Sequence, residues 1–254
     1  MTSPRNAIAT PGGRLYAWEG PHGTEIFDSV TNVLSRVLAK PALVPWAAKV
    51  CAEYAADNVR WLVRLPHHEV VVRVKNAPNE VRDAAAHRGT LVHALAEATT
   101  LGQTPTVPGE LKGYVASWAQ WVSDYHVAFE VSEGTIYNRE HRYAGTFDLI
   151  ASTPSLGRIL IDYKTGRDVY PEAAKQLTAY RHGEFIGLPD GSEGAMPEVD
   201  GTYVVKLSPD GYQMVPVRSD ASQWEAWLCV LALYDDMQRT DLVGKPMRSE
   251  ARLL

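Results

Sequence analysis

Asp162 and Lys164 stand two positions apart at the end of the apolar run RILIDYKTG (158–166). On a β-strand, residues i and i+2 share a face, so a carboxylate and an ammonium project together where the strand gives way to Thr165, Gly166 and Arg167. A second segment, YAGTFDLIAS (143–152), carries Asp148 between Phe147 and Leu149. A charge flanked by two large apolar residues needs a partner, and Gly145 ahead of it suits a close backbone approach. Two carboxylates at the end of a buried sheet can hold a hard divalent cation through oxygen. Such a cation acidifies water and draws charge from a phosphodiester, and a lysine beside it stabilises the charge that develops. A structural Asp–Lys pair with Asp148 elsewhere fits these three residues as well, because Asp-x-Lys triplets are common.

Two helical segments supply further candidates. In RGTLVHALAE (88–97), Gly89, His93 and Glu97 recur every four residues and share a face. His93 offers a nitrogen ligand, Glu97 is a weaker candidate for a second metal, and Arg88 lies at the edge of that face. In PEAAKQLTAYR (171–181), Gln176 and Tyr180 are likewise four apart. Gln176 suits a hydrogen bond to a nucleotide or a metal-bound water, and Tyr180 suits stacking on a base or a phosphate contact. Taken alone, His93 is more often a satisfied core or surface histidine, and the Gln176–Tyr180 pair is more often ordinary amphipathic helix. Arg142, Arg167, Lys175 and Arg181 lie close by in sequence as further phosphate contacts or as solvated charges.

The elements that must position these side chains follow from periodicity. Residues 129–138, 143–152 and 158–166 alternate with a period of two and are separated by turns, which predicts an antiparallel meander. Residues 202–208 and 212–217 flank Pro209-Asp210-Gly211 and read as a hairpin. Helical periodicity covers about 29–63 (interrupted by Pro41 and Pro45), 80–100, 111–127, 171–187 and 220–239. Ser29 or Thr31 is placed to cap the first, Asn79 the second, and Asp220 with Gln223 resembles a capping box. Tyr114, Trp118, Trp121 and Tyr125 form an aromatic stripe read as core. Residues 1–25 read as an irregular or short-strand start, VVVRVKNAP (70–78) as a short strand or extended linker, 188–200 as a loop, and the tail from Thr240 as extended. The order predicts an α+β fold with a mixed central sheet flanked by helices. Residues 1–79 form a helical lead-in packed on a core of 80–254.

Composition excludes several classes. Among 254 residues, 45% are hydrophobic and 22% charged, ordinary for a globular protein. No apolar run is long enough to span a bilayer, and the first twenty residues lack a basic start followed by an apolar stretch. An intracellular protein with no membrane partner is expected. Cys51 and Cys229 are read as buried reduced thiols. Two cysteines without a CxxC pair exclude a cysteine-ligated zinc or iron–sulfur site. A net charge of −5 argues against coating nucleic acid by bulk charge, though not against a local grip on it.

Taken together and in order, the motifs resemble the RecB-like branch of the PD-(D/E)XK nuclease superfamily, whose fold is restriction-endonuclease-like. GTLVH (89–93) resembles its histidine motif and AGTFDLI (144–150) the motif of its first catalytic aspartate. LIDYKTG (160–166) resembles its acidic-x-lysine motif, and QLTAY (176–180) its Gln-x-x-x-Tyr motif. The resemblance covers residues 88–181. It implies His93, Asp148, Asp162 and the backbone carbonyl of Tyr163 as ligands of Mg²⁺ or Mn²⁺, and Asp148, Asp162 and Lys164 as catalytic residues. It also implies Arg88, Gln176 and Tyr180 as substrate-binding residues. The activity implied is DNA cleavage, most simply as an exonuclease in phage or bacterial DNA recombination, repair or processing in the cytoplasm. The implied partners are single- or double-stranded DNA ends, a recombination or annealing protein, and further copies of the chain in a homo-oligomer. An inactive DNA-end-binding module with the same fold is the alternative. The iron–sulfur cysteines of CRISPR-associated members are absent, and so is a GxxxxGK[ST] nucleotide loop.

Overall fold

The computed structural model describes residues 6–20 and 23–244. Ten strands form one mixed sheet, and helices cover it. Three antiparallel strands begin the chain: β1 (Ala7–Thr10), β2 (Gly13–Gly20) and β3 (Gly23–Ser29). This start is therefore regular and belongs to the sheet. Tyr16, Trp18 and Phe27 are buried from it and pack on Tyr137 and Phe185.

Helices α1 (Val30–Val37), α2 (Leu43–Asp57), α3 (Val59–Leu62) and α4 (His67–Thr100) follow. Pro45 lies in the first turn of α2, as its missing N–H favours. Ser29 stands at the N-cap of α1, but its hydroxyl meets Thr31 and makes no cap bond.

The extended segment expected at 70–78 is helical: α4 runs unbroken for 34 residues through Asn79, which caps nothing, with Pro78 inside it. Pro78 has no N–H for the Val74 carbonyl, so a helical bond is lost there. Cys51 Sγ on α2 lies 3.2 Å from that carbonyl and donates to it. A neighbouring helix thus repairs the defect that made the segment read as non-helical. Cys51 is half-buried and Cys229 exposed, both free, so neither is the fully buried thiol expected. Cys229 lies off the stripe of Trp227, Val230, Leu231 and Tyr234 that α7 turns inward.

Helix α5 (Lys112–Asp124) buries Tyr114, Trp118 and Trp121, as the stripe predicts, and Tyr125 is half-buried just beyond its end. The predicted meander follows as β4 (Ala128–Asn138), β5 (Tyr143–Thr153) and β6 (Gly157–Lys164). Helix α6 (Glu172–Arg181) ends earlier than its pattern suggested, and Phe185–Gly187 forms β7 against β4. The segment read as a loop contains β8 (Glu193–Ala195). Strands β9 (Gly201–Ser208) and β10 (Gly211–Pro216) form the expected hairpin, with β9 parallel to β6. Asp220 caps α7 (Ala221–Met237) by accepting from the Gln223 backbone N–H. The expected extended tail lies mostly outside the described residues.

Two clusters sandwich the sheet. One gathers α1, α6 and α7 around Phe147, Ile150, Leu160 and Val204. The other gathers α4 and α5 around Leu149, Ile161, Tyr163 and Val205. Among the described residues, no helix is long and apolar enough to cross a membrane.

Candidate active site

The site grows from a fork in the sheet. One edge of β5 pairs with β4 along its length. The other edge pairs with β3 only at Tyr143 and Ala144 and with β6 only from Leu149 to Thr153. Between these contacts, residues 145–148 have no strand on that side. There β6 leaves β5, and the Tyr163 N–H, deprived of a ladder acceptor, donates to Asp148 Oδ2. The strand geometry thus uses an ionised Asp148 to satisfy a buried backbone donor.

Across the fork, α4 brings His93 down onto the sheet. Its Nδ1 lies 3.0 Å from Asp148 Oδ1 and its Nε2 lies 3.0 Å from the Tyr163 carbonyl. Two oxygen acceptors facing both ring nitrogens are fully satisfied by an imidazolium. Burial alone would lower the His93 pKa, but the Asp148 carboxylate outweighs it and pushes the value up to about 9. Burial would raise the Asp148 pKa, but His93, Lys164 and the Tyr163 N–H hold it below the usual carboxylate range. Gly89, one turn before His93, would place a Cβ 3.3 Å from Thr165 Oγ1, so the helix can approach the end of β6 closely.

Asp162 and Lys164 sit at the adjoining end of β6. Lys164 Nζ donates to Asp162 Oδ1 at 3.0 Å and lies 2.7 Å from Oδ2, an ion-pair contact off the hydrogen-bonding direction. Oδ2 is otherwise a buried oxygen without a partner. Burial, reinforced by the Asp148 charge, raises the Asp162 pKa despite Lys164. Gln176 Nε2 donates to Asp162 Oδ1 at 2.9 Å and to the Tyr180 hydroxyl at 3.1 Å, while its Oε1 lies 3.5 Å from Lys164 Nζ. Gly145 makes room for Tyr180, since a Cβ there would fall 2.4 Å from Tyr180 Cε1. The hydrogen bonds thus form two groups, His93–Asp148–Tyr163 and Lys164–Asp162–Gln176–Tyr180, which meet through consecutive residues 162–164 of β6 and through the charges of Asp148, Asp162 and Lys164.

Tyr180 is 2% exposed, which leaves its ring no open face for a base. Gln176 and Tyr180 thus hold the Asp162–Lys164 pair in place. Arg88, expected to touch substrate, has a buried Nε without a partner and does not line the cavity above the site. That cavity, of about 470 Å³, lies between α4 and the sheet, and Glu97 stands on its wall.

Glu133 is the member that the sequence reading missed. Its neighbours pair as Ser132↔Leu149 and Gly134↔Phe147, which sets Glu133 opposite Asp148. Like charges directly opposite on neighbouring strands repel. Ligand atoms of His93, Glu133 and Asp148 all lie within 4.8 Å of one another. Burial, with the Asp148 charge adding, pushes the Glu133 pKa up to about 8. The backbone at Glu133 is left-handed, with φ of 51°. Facing alternation slips at the same level, because Phe147 and Ile150, three residues apart, pack on one side of the sheet. The signal was available in the sequence: pairing the two predicted strands about their shared turn sets 133 against 148.

His93, Glu133 and Asp148 form a donor set that could hold a divalent cation, two carboxylates facing each other with a nitrogen at the same point and the Tyr163 carbonyl alongside. Asp162, expected as a ligand, stands outside this set and does not line the cavity. No family model matches the chain, and no curated protein does. A solved structure described as the crystal structure of SSO0001 aligns over 83% of this chain and 85% of its own, with 14% identity and a TM-score of 0.34. A likeness at that level carries no argument about what this chain does.

Proposed function

We propose that this chain is a Mg²⁺- or Mn²⁺-dependent DNA nuclease working from strand ends. The observation that carries the reading is the convergence, at one fork of the sheet, of a His–Glu–Asp ligand set with Lys164, paired to Asp162, on the wall of the same open cavity. The resemblance of the four motifs to RecB-like nucleases supports the choice of DNA and of an exonuclease. An intracellular role in DNA recombination, repair or processing belongs to the same proposal, and so does assembly with an annealing protein or with further copies of the chain.

Asp148, Glu133 and His93 would hold the cation, with the Tyr163 carbonyl beside them and Asp162 acting through Lys164. When bound, the cation supplies a Lewis acid for a phosphate oxygen and a lowered pKa for water. His93 must surrender a proton to ligate, and Asp148 fixes the ring while it does so. Burial opposes the charge on Lys164, but Asp162 outweighs this and holds the pKa above its ordinary value, so the ammonium persists at neutral pH. Its side chain is 38% exposed, so it can turn a donor toward a phosphate oxygen while Asp162 fixes its position. Gln176, braced by Tyr180, keeps Asp162 from rotating away.

The test is a digestion series on linear, circular, single- and double-stranded DNA, each with EDTA, Mg²⁺ and Mn²⁺. Linear DNA should be degraded with either metal, EDTA should stop it, circular DNA should resist, and Asp162→Asn should be inert while remaining folded. Binding of DNA ends without cleavage in either metal would replace the nuclease by an end-binding module. Asp162→Asn cutting as fast as the parent would overturn the site.

A further inference from the structure

A polyanionic substrate must be gripped by cations, and the cavity wall offers two Lys or Arg side chains, Lys164 and Arg14. Lys164 is committed to Asp162. Arg14 comes from β2, in the part of the chain that carries none of the four motifs. Its side chain forms no ion pair with a carboxylate among the described residues. Its nearest polar contact is a long one, from Nη1 to the Tyr16 hydroxyl at 3.5 Å.

The backbone that carries Arg14 is stapled in place. Asn32 Nδ2 on α1 donates to the Arg14 carbonyl at 2.6 Å, and Arg36 Nη2 donates to the Gly12 carbonyl at 2.6 Å. Gly13, with φ of 120°, is the residue that allows this contact, because a Cβ there would fall 2.3 Å from Asn32 Nδ2. Tyr16 is fixed in turn, its hydroxyl 3.1 Å from Thr146 Oγ1, which lies 3.0 Å from Thr135 Oγ1. A rigid strand end therefore presents an exposed guanidinium to the cavity that holds Asp148 and Glu133; its charge favours the Glu133 carboxylate across the cavity, but among the described residues it makes no ion pair. A planar fork of N–H donors that no carboxylate among the described residues engages directly matches a phosphate.

We propose that Arg14 is a substrate-binding residue that holds a backbone phosphodiester of the nucleic-acid strand on the cavity wall formed by the N-terminal hairpin. The inference rests on the nuclease reading and takes it further, because it gives the lead-in segment a direct contact with substrate. It also transfers to Arg14 the role expected of Arg88.

The test is binding of a fluorescent single-stranded oligonucleotide in Ca²⁺ across a salt series, with Asp162→Asn as background to prevent cleavage. Arg14→Gln should weaken binding about tenfold at low salt and flatten the plot of log affinity against log salt by about 0.7, the loss of one phosphate contact on a single strand. Arg14→Lys should keep the slope, which a merely structural role would not predict. Equal thermal unfolding midpoints for the variants confirm that the fold is intact. If the parent protein binds and cuts DNA but Arg14→Gln matches its affinity and slope, Arg14 is a solvated surface charge and this inference falls alone. If the parent binds no nucleic acid, this inference falls together with the nuclease reading.

Discussion

Without metal, the site should make the folded protein less stable as the solution becomes alkaline. His93 is held protonated up to about pH 9 by Asp148, against an ordinary value of 6.5. A folded-state pKa raised above the unfolded one stabilises the protein fully below pH 6.5, and that contribution disappears as pH rises through 9. The slope approaches about 1.4 kcal/mol per pH unit, so roughly 3 kcal/mol is lost across the interval. Glu133 acts in the same sense, with its loss running from its ordinary 4.5 up to about 8 as the second carboxylate ionises opposite Asp148. Saturating Mn²⁺ should reverse the trend, because the cation replaces the His93 proton and neutralises the facing carboxylates. The assay is urea unfolding at pH 6.5, 7.5, 8.5 and 9.5, in EDTA and in Mn²⁺, on the parent and on His93→Gln. His93→Gln should lose most of the fall above pH 8. Stability in EDTA that stays level or rises between pH 6.5 and 9 would refute the electrostatic reasoning.

Two further substitutions test the supports of the site. Gly145→Ala should cost ~1–3 kcal/mol by overpacking against Tyr180, read as a lowered midpoint in thermal unfolding. It should also reduce DNA cleavage by loosening Gln176, and wild-type stability would show that the close approach is relaxed in solution. Cys51→Ala should destabilise by ~1 kcal/mol by leaving the Val74 carbonyl without its donor. That cost should shrink when Pro78→Ala restores the helical N–H, and a double-mutant cycle with no coupling would contradict the pairing.

Much of the site was legible because strand periodicity is a local signal. The alternation in 158–164 placed Asp162 and Lys164 on one face at a strand end, and the meander set Asp148 on the strand beside it. The i,i+4 spacing of Gly89 with His93 and of Gln176 with Tyr180 identified the helix faces that meet it. What failed depended on tertiary partners. The valine-rich run at 70–75 favours a strand by propensity, and Pro78 opposes a helix, yet α2 packs alongside and Cys51 repairs the lost bond. Glu133 went unnoticed, because only its register against Asp148 gives it meaning. Arg88 carries the right chemistry on the helix that bears His93, but its Nε is buried without a partner and its side chain does not line the cavity. Arg14 sits where no motif marks the chain, and only the hairpin brings it to the cavity.

Calorimetric titration of Mn²⁺ into the parent protein and into Asp148→Asn, at pH 7.5, tests the convergence of ligands most directly. Asparagine keeps an oxygen for the Tyr163 N–H, so the fold should survive while the charge between His93 and Glu133 is lost. The structure predicts saturable binding to the parent with release of a proton from His93, seen as heat that varies with the ionisation enthalpy of the buffer, and binding at least tenfold weaker in Asp148→Asn. Equal affinity in the two proteins, or no binding to the parent, would contradict it.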